Sequence, residues 1–204
     1  MILFKARSLT TLVFIMALYA CVRAKDEHIA SDSSATVKPA AQAGDTARPA
    51  SRFAKTSSWT VNIRGIGPLH AGMSRPEAAA VMGVSPTLID SAWTDCDYVG
   101  FGDVPEGVSF MVEGGTIARV DVTKGRVATE EGARIGDSED RIRQLYGSRL
   151  TVSPHAYVDG HYLIVHPKEP ADSAFRIVFE TDGHVVTQYR SGRLPPVEWV
   201  EGCS

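Results

Sequence analysis

The chain has 204 residues, 44 % hydrophobic and 22 % charged, with 21 Lys+Arg against 24 Asp+Glu and a formal charge of −3. The charge is unevenly placed: residues 1–57 carry 8 Lys+Arg and 4 Asp+Glu (+4), whereas residues 58–204 carry 13 and 20 (−7). A domain of that sign has no electrostatic footprint for a phosphate backbone, which argues against nucleic-acid binding and favours basic or neutral partners.

Residues 1–20 begin with two cations, Lys5 and Arg7, and continue as a weakly polar to apolar run from Leu9 to Tyr19, the plan of a secretory signal peptide. The run holds 11 residues, too few for a spanning helix, which needs about 20. It ends in Leu18-Tyr19-Ala20-Cys21. That ending resembles the lipobox of bacterial lipoproteins, which implies cleavage before Cys21, acylation of its thiol and a lipid anchor. The non-acidic Val22 then implies sorting to the outer membrane, facing the periplasm. Cleavage after Ala24, giving a secreted or soluble periplasmic chain, is the alternative.

Residues 21–57 are rich in Ala, Ser, Thr, Asp, Lys and Pro, with too few apolar groups to offset the entropy of ordering. They are expected to form a disordered tether with a reach on the order of 30 to 35 Å. A folded domain is expected over 58–204. With Cys21 at the processing site, Cys96 and Cys203 are left as an even pair in an exported domain and are expected to form a disulfide. Two buried free thiols are the alternative. Closing so long a loop would contribute roughly 4 to 5 kcal/mol at most.

Several landmarks recur at an offset of 64 residues: Gly72-Met73-Ser74 as Gly136-Asp137-Ser138, Gly83 as Gly147, and Tyr98 as Tyr162. Between them Ala78, Val81 and Met82 match Ile142, Leu145 and Tyr146, at the spacing of a short helix's buried face. Ser74 with Glu77 makes a capping box, and Ser138 is followed by Glu139 and Asp140, where the helix dipole favours acid. Gly83 and Gly147 supply the stops.

After each helix the period switches to two. Val108, Phe110 and Val112 alternate before Glu113-Gly114-Gly115 turns the chain into Ile117–Val122, and Phe175, Ile177 and Phe179 alternate before Thr181-Asp182-Gly183 turns it into Val185–Tyr189. With strands expected near Cys96–Phe101 and Tyr162–His166, the reading is an α+β domain. It consists of two tandem repeats, about 65–125 and 130–203, each a short helix followed by an antiparallel β-meander. A last strand is expected over Val197–Cys203.

The glycine-led short helix followed by a meander, repeated behind an export signal, resembles the beta-lactamase inhibitory proteins and the BamE-type outer-membrane assembly lipoproteins. Glu201-Gly202-Cys203 is also similar to the ending of uncharacterised bacterial exported proteins. The resemblance implies a noncatalytic module that binds another envelope protein. It carries over no ligand-contacting residue, and it differs in the disulfide, since the inhibitory proteins close one within each repeat.

Chemistry-bearing clusters are sparse. His155, His161, His166 and His184 lie together in sequence, but positions 161 and 166 face opposite sides of a regular strand, and no metal is expected. Asp95 and Asp97 flank Cys96 without a sign of the pocket that an acid/base pair needs. The chain has no G-x-S-x-G, H-E-x-x-H, P-loop or G-x-G-x-x-G motif, and neither catalysis nor a cofactor is expected. Aromatic side chains anchor interfaces well, so Tyr98, Tyr157, His161 and Tyr162 are the candidate binding residues, with core tyrosines as the plainer reading. The rival is a small-ligand binder or hydrolytic enzyme with a site between the repeats, built from Asp97, His155, His161 and Tyr162.

Overall fold

A computed structural model describes residues 59–93 and 95–203. The signal sequence and tether expected from the sequence, with Cys21, lie outside the described residues. Elements in chain order are β1 (Thr60–Asn62), β2 (Gly65–Ile66), β3 (Leu69–His70), α1 (Arg75–Met82), β4 (Thr87–Trp93), β5 (Cys96–Gly100), β6 (Val108–Glu113), β7 (Thr116–Val122), β8 (Ala128–Thr129), α2 (Glu139–Tyr146), β9 (Leu150–Pro154), β10 (His161–Val165), β11 (Phe175–Thr181) and β12 (Val186–Arg193).

Both helices begin and end where their side chains dictate. The Ser74 hydroxyl accepts the Glu77 N–H, and the Glu77 carboxylate accepts the Ser74 N–H at 2.8 Å, so two donors without helical partners are satisfied reciprocally. Ser138 accepts the Arg141 N–H at 3.3 Å. Gly83 closes α1 at φ +69°, a conformation that a Cβ would strain.

The eight-stranded sheet runs β4-β5-β6-β7-β12-β11-β10-β9, and its pairs are all antiparallel. One face carries Phe110, Val120, Val122, Leu163, Phe179 and Tyr189, packed with Ala78 of α1 and Ile142 and Tyr146 of α2. A second sheet of four very short strands, β3-β2-β1-β8, covers the same core through Val61, Ile66 and Leu69. The Ser191 hydroxyl donates to the Asn62 carbonyl at 2.5 Å, which ties this small sheet to β12.

The α+β reading in two helix-plus-meander repeats is corrected by this architecture. The domain is mostly β, with two short α-helices set against a four-stranded and an eight-stranded sheet. Residues 128–129 pair in parallel with β1, so the small sheet combines chain from before the first expected repeat with chain from the boundary between the two. Where β7 meets β12, Gly192 faces Arg119; a Cβ on Gly192 would lie 2.4 Å from the Ala118 carbonyl oxygen, so the strands join this closely because that position has no side chain. Strands of two or three residues show no alternation, and the polar outer strand β9 hides its pattern.

The expected last strand is also corrected. Residues 196–198 form a 3-10 turn, because Pro195 and Pro196 lack the N–H groups that a ladder needs. The rest of the strap, residues 199–203, is irregular and ends at a disulfide between Cys203 and Cys96, with Cα atoms 5.5 Å apart and a sequence separation of 107. Among the described residues no helix is long and apolar enough to cross a membrane.

Candidate functional site

The face of the large sheet turned away from the helices is polar at its centre. Arg190 lies opposite Asp121 across the β7–β12 join, Met111 lies between Tyr98 and Arg119, and Glu180 lies between Tyr162 and Gln188. Residues 194–203 cross over this row. The Arg119 guanidinium donates to the Pro196 and Trp199 carbonyls at 2.8 and 2.7 Å and to the Tyr98 hydroxyl at 2.7 Å, and it pairs with Asp121 at 3.0 Å. Arg190 donates to the Val197 carbonyl at 2.6 Å and pairs with Glu180. Val197 fills the space between Tyr162 and Val178.

Burial sets the protonation of this network. It drives the Asp121 carboxyl above the ordinary aspartate range in spite of Arg119, and it raises the Tyr98 phenol as well, with the charge of Asp121 adding to that effect. Burial also opposes charge on Glu180, but hydrogen bonding from Gln188 and the Arg190 guanidinium outweigh it and hold that carboxyl below the usual range.

Beyond the covered row lies a cleft of roughly 350 Å³ lined by His155, Tyr157, Val158, Glu180, Thr181, Asp182, Thr187, Gln188 and Val200. His155 forms part of its inner wall, with its ring stacked on Tyr162 at 4.5 Å between centroids and 20° between planes. His155 Nδ1 accepts the Tyr157 N–H at 3.1 Å, which places the ring proton on Nε2, 3.4 Å from the Glu180 carboxylate. The Tyr162 hydroxyl accepts the Ala156 N–H at 3.3 Å. Both ring nitrogens and both Glu180 oxygens are therefore engaged within the chain, and what they accomplish is to hold residues 155–157 in place.

The rim is apolar and exposed. Of the six large hydrophobic side chains exposed among the described residues, three ring this cleft: Tyr157 at 67 %, Val158 at 52 % and Val200 at 39 % exposure. Single exposed hydrophobics are ordinary on protein surfaces, whereas a cluster around a concavity is the pattern of a contact surface.

The candidate residues read from the sequence separate. Tyr157 is on the rim and Tyr162 lies behind His155. Tyr98 packs beneath the strap in the other half of the sheet, beside the disulfide and Trp199. His161 lies on the opposite face, where its Nδ1 is 2.7 Å from the Glu139 carboxylate of α2. The rival set does not converge either: Asp97 pairs with Arg75 of α1 on the helix side together with His161, while His155 and Tyr162 are on the other side. His166 bonds the Thr151 hydroxyl at 2.9 Å, and no group of three or more potential metal ligands occurs among the described residues.

Val158, Val200 and Asp182 were not among the candidate binding residues read from the sequence, which marked Asp182 only as part of a turn. A tyrosine-valine pair in a loop rich in Gly and Asp was the only signal available for the first, and Val200 reaches the cleft only through the strap. A second cleft, of roughly 310 Å³, is lined by Arg64, Glu131, Arg149 and Lys168 among others. Its cations pair with acids of the same cleft, Arg149 and Lys168 with Glu131 at 2.9 and 3.2 Å and Arg64 with Asp172.

No family model matches the chain, and no curated protein matches it. Among solved structures, the uncharacterized protein yfeY from Escherichia coli is similar, with 15 % identity and a TM-score of 0.42 over 66 % of this chain and 99 % of that one.

Proposed function

We propose that this chain is a noncatalytic cell-envelope lipoprotein that binds another envelope protein through the cleft between residues 155–158 and the strap. The observation that carries this reading is the clustering of Tyr157, Val158 and Val200, three exposed apolar side chains, around one concavity. The buried disulfide supports an oxidising compartment, and the signal-like start with Leu18-Tyr19-Ala20-Cys21 supports a membrane anchor. Of the roles that the resemblance suggested, inhibition of an exported hydrolase is the lesser branch, since the Cys96–Cys203 bridge departs from the inhibitory proteins, which close one disulfide within each repeat.

A photo-crosslinking amino acid placed at Val158, with one at Val84 as the control, tests the binding. Val84 is also an exposed valine, at 38 %, but does not line the cleft. In membranes of the producing cell, position 158 should give a reproducible protein adduct that position 84 does not. Equal labelling from both positions, or none from 158, overturns the reading. Intact mass of the extracted protein tests the anchor: a chain beginning at Cys21 with added acyl mass is expected, and an unmodified soluble chain overturns that part.

A further inference from the structure

The chemistry of the cleft narrows what its occupant can be. Its lining contains two carboxylates, Glu180 and Asp182, and no Lys or Arg. Glu180 is neutralised by Arg190, but Asp182 is exposed, and one of its oxygens, Oδ1, accepts the N–H groups of both His184 and Val185 at 2.9 Å. Those two donors hold its carboxyl below the usual aspartate range, so it is ionised at neutral pH. Asp159, also exposed, follows directly on Val158 of the rim, and the domain as a whole carries about −7. A cleft with apolar lips, an anionic wall and an anionic field around it is complementary to an apolar segment that carries positive charge.

We propose that the occupant is an extended segment of a partner protein in which a Lys or Arg is flanked by aliphatic or aromatic residues. The cation is directed at Asp182 and its neighbours pack on Tyr157, Val158 and Val200. This inference rests on the protein-binding reading above and adds the chemistry of the partner.

Random peptides displayed on phage, panned against the full chain, provide the test. The library is first depleted on a Tyr157→Ser/Val158→Ser chain and separately on Val200→Ser, which remove the apolar rim without adding charge, each verified as folded by circular dichroism and by a mass showing the disulfide. Enriched sequences should carry Lys or Arg next to apolar residues, and synthetic copies should bind more weakly as sodium chloride is raised. Asp182→Asn keeps the oxygen that accepts from His184 and Val185 while removing the charge, and it should weaken those peptides about two- to fivefold, the range of an exposed ion pair. Enriched peptides that depend on the rim but are acidic or uncharged would overturn the cationic partner and leave protein binding standing. Absence of any rim-dependent enrichment would overturn both.

Discussion

Arg119 and Trp199 are joined by a 2.7 Å hydrogen bond from a guanidinium in the middle of the large sheet to a backbone carbonyl 80 residues further along the chain. The same side chain serves Pro196, Tyr98 and Asp121, so this arginine fastens the strap to the sheet at two carbonyls, beside the hold of Arg190 on Val197. Replacement by Met keeps the aliphatic stem but leaves buried carbonyls and a carboxylate without their donor. Arg119→Met should cost about 3 to 5 kcal/mol in urea unfolding, and Arg119→Lys should recover only part of this because an ammonium cannot reproduce the planar fork. A loss under about 1 kcal/mol would show that the strap is held by other contacts.

Reduction of the disulfide acts on the same element. A Cys96→Ser/Cys203→Ser chain should lose about 2 to 5 kcal/mol of stability. Trp199 packs against the Cys96–Cys203 cluster, and its fluorescence should shift in the reduced chain before the strands unfold. One transition common to tryptophan emission and far-ultraviolet circular dichroism would show instead that strap and sheet come apart together.

Acid sensitivity follows from Glu139 at the start of α2. Burial opposes its charge, but the Thr181 hydroxyl at 2.6 Å, His161 at 2.7 Å and Arg143 at 3.2 Å outweigh it, and the carboxyl is held below the ordinary glutamate range. A carboxyl depressed in the folded state contributes stability above its unfolded pKa of about 4.3 and loses that contribution as the pH falls through the folded value. Glu139→Gln should therefore be less stable at neutral pH and show a shallower decline below about pH 4.3, read from urea midpoints across pH. An unchanged slope would exclude Glu139 as a source of the acid limb.

At the cleft, His155→Phe tests how residues 155–157 are held. The ring can still stack on Tyr162, while the acceptor for the Tyr157 N–H is removed. Amide exchange at Tyr157 should accelerate, with a global loss of about 1 kcal/mol. Peptides selected on the cleft should bind less well because their apolar platform is no longer fixed. Unchanged exchange at Tyr157 would remove His155 from that role.

Ser74→Ala and Ser138→Ala should each cost about 0.5 to 2 kcal/mol, the usual effect of removing a helix cap. Ser74→Ala should be the larger of the two, because the Ser74 hydroxyl also donates to the Glu77 carboxylate at 2.8 Å and that bond is lost with it.

What could be read before the structure was local. Ser74, Gly83, Ser138 and Gly147 bracket the two helices closely, and the Gly114-Gly115 and Asp182-Gly183 turns mark the hairpins, because each of these residues acts on backbone a few positions away. The disulfide was legible because a count of thiols constrains pairing at any distance. The small sheet was hidden, since β2 and β3 have two residues each and take their stability from the core they cover. The cleft was hidden for another reason. Val200 and Tyr157 come to line one cleft through a strap whose course is set by Arg190 and by Arg119, and nothing in the local sequence of Arg119 announces a partner 80 residues away. His161 and Tyr162 were grouped as one surface, yet consecutive strand residues point to opposite faces, and the sheet divides them accordingly.

The strap also orders events in time. Every strand of the large sheet is synthesised before residues 194–203, yet Arg119 and Arg190 reach their carbonyl partners, and Cys96 its sulfur, only once that segment arrives. Until then the two arginines have their carboxylate partners in the sheet, Asp121 and Glu180, but lack the strap carbonyls that complete them, on a face otherwise destined for burial. A chain stopped at residue 193 would hold every strand of the sheet and still lack the cover, the carbonyl acceptors and the disulfide that finish its outer face.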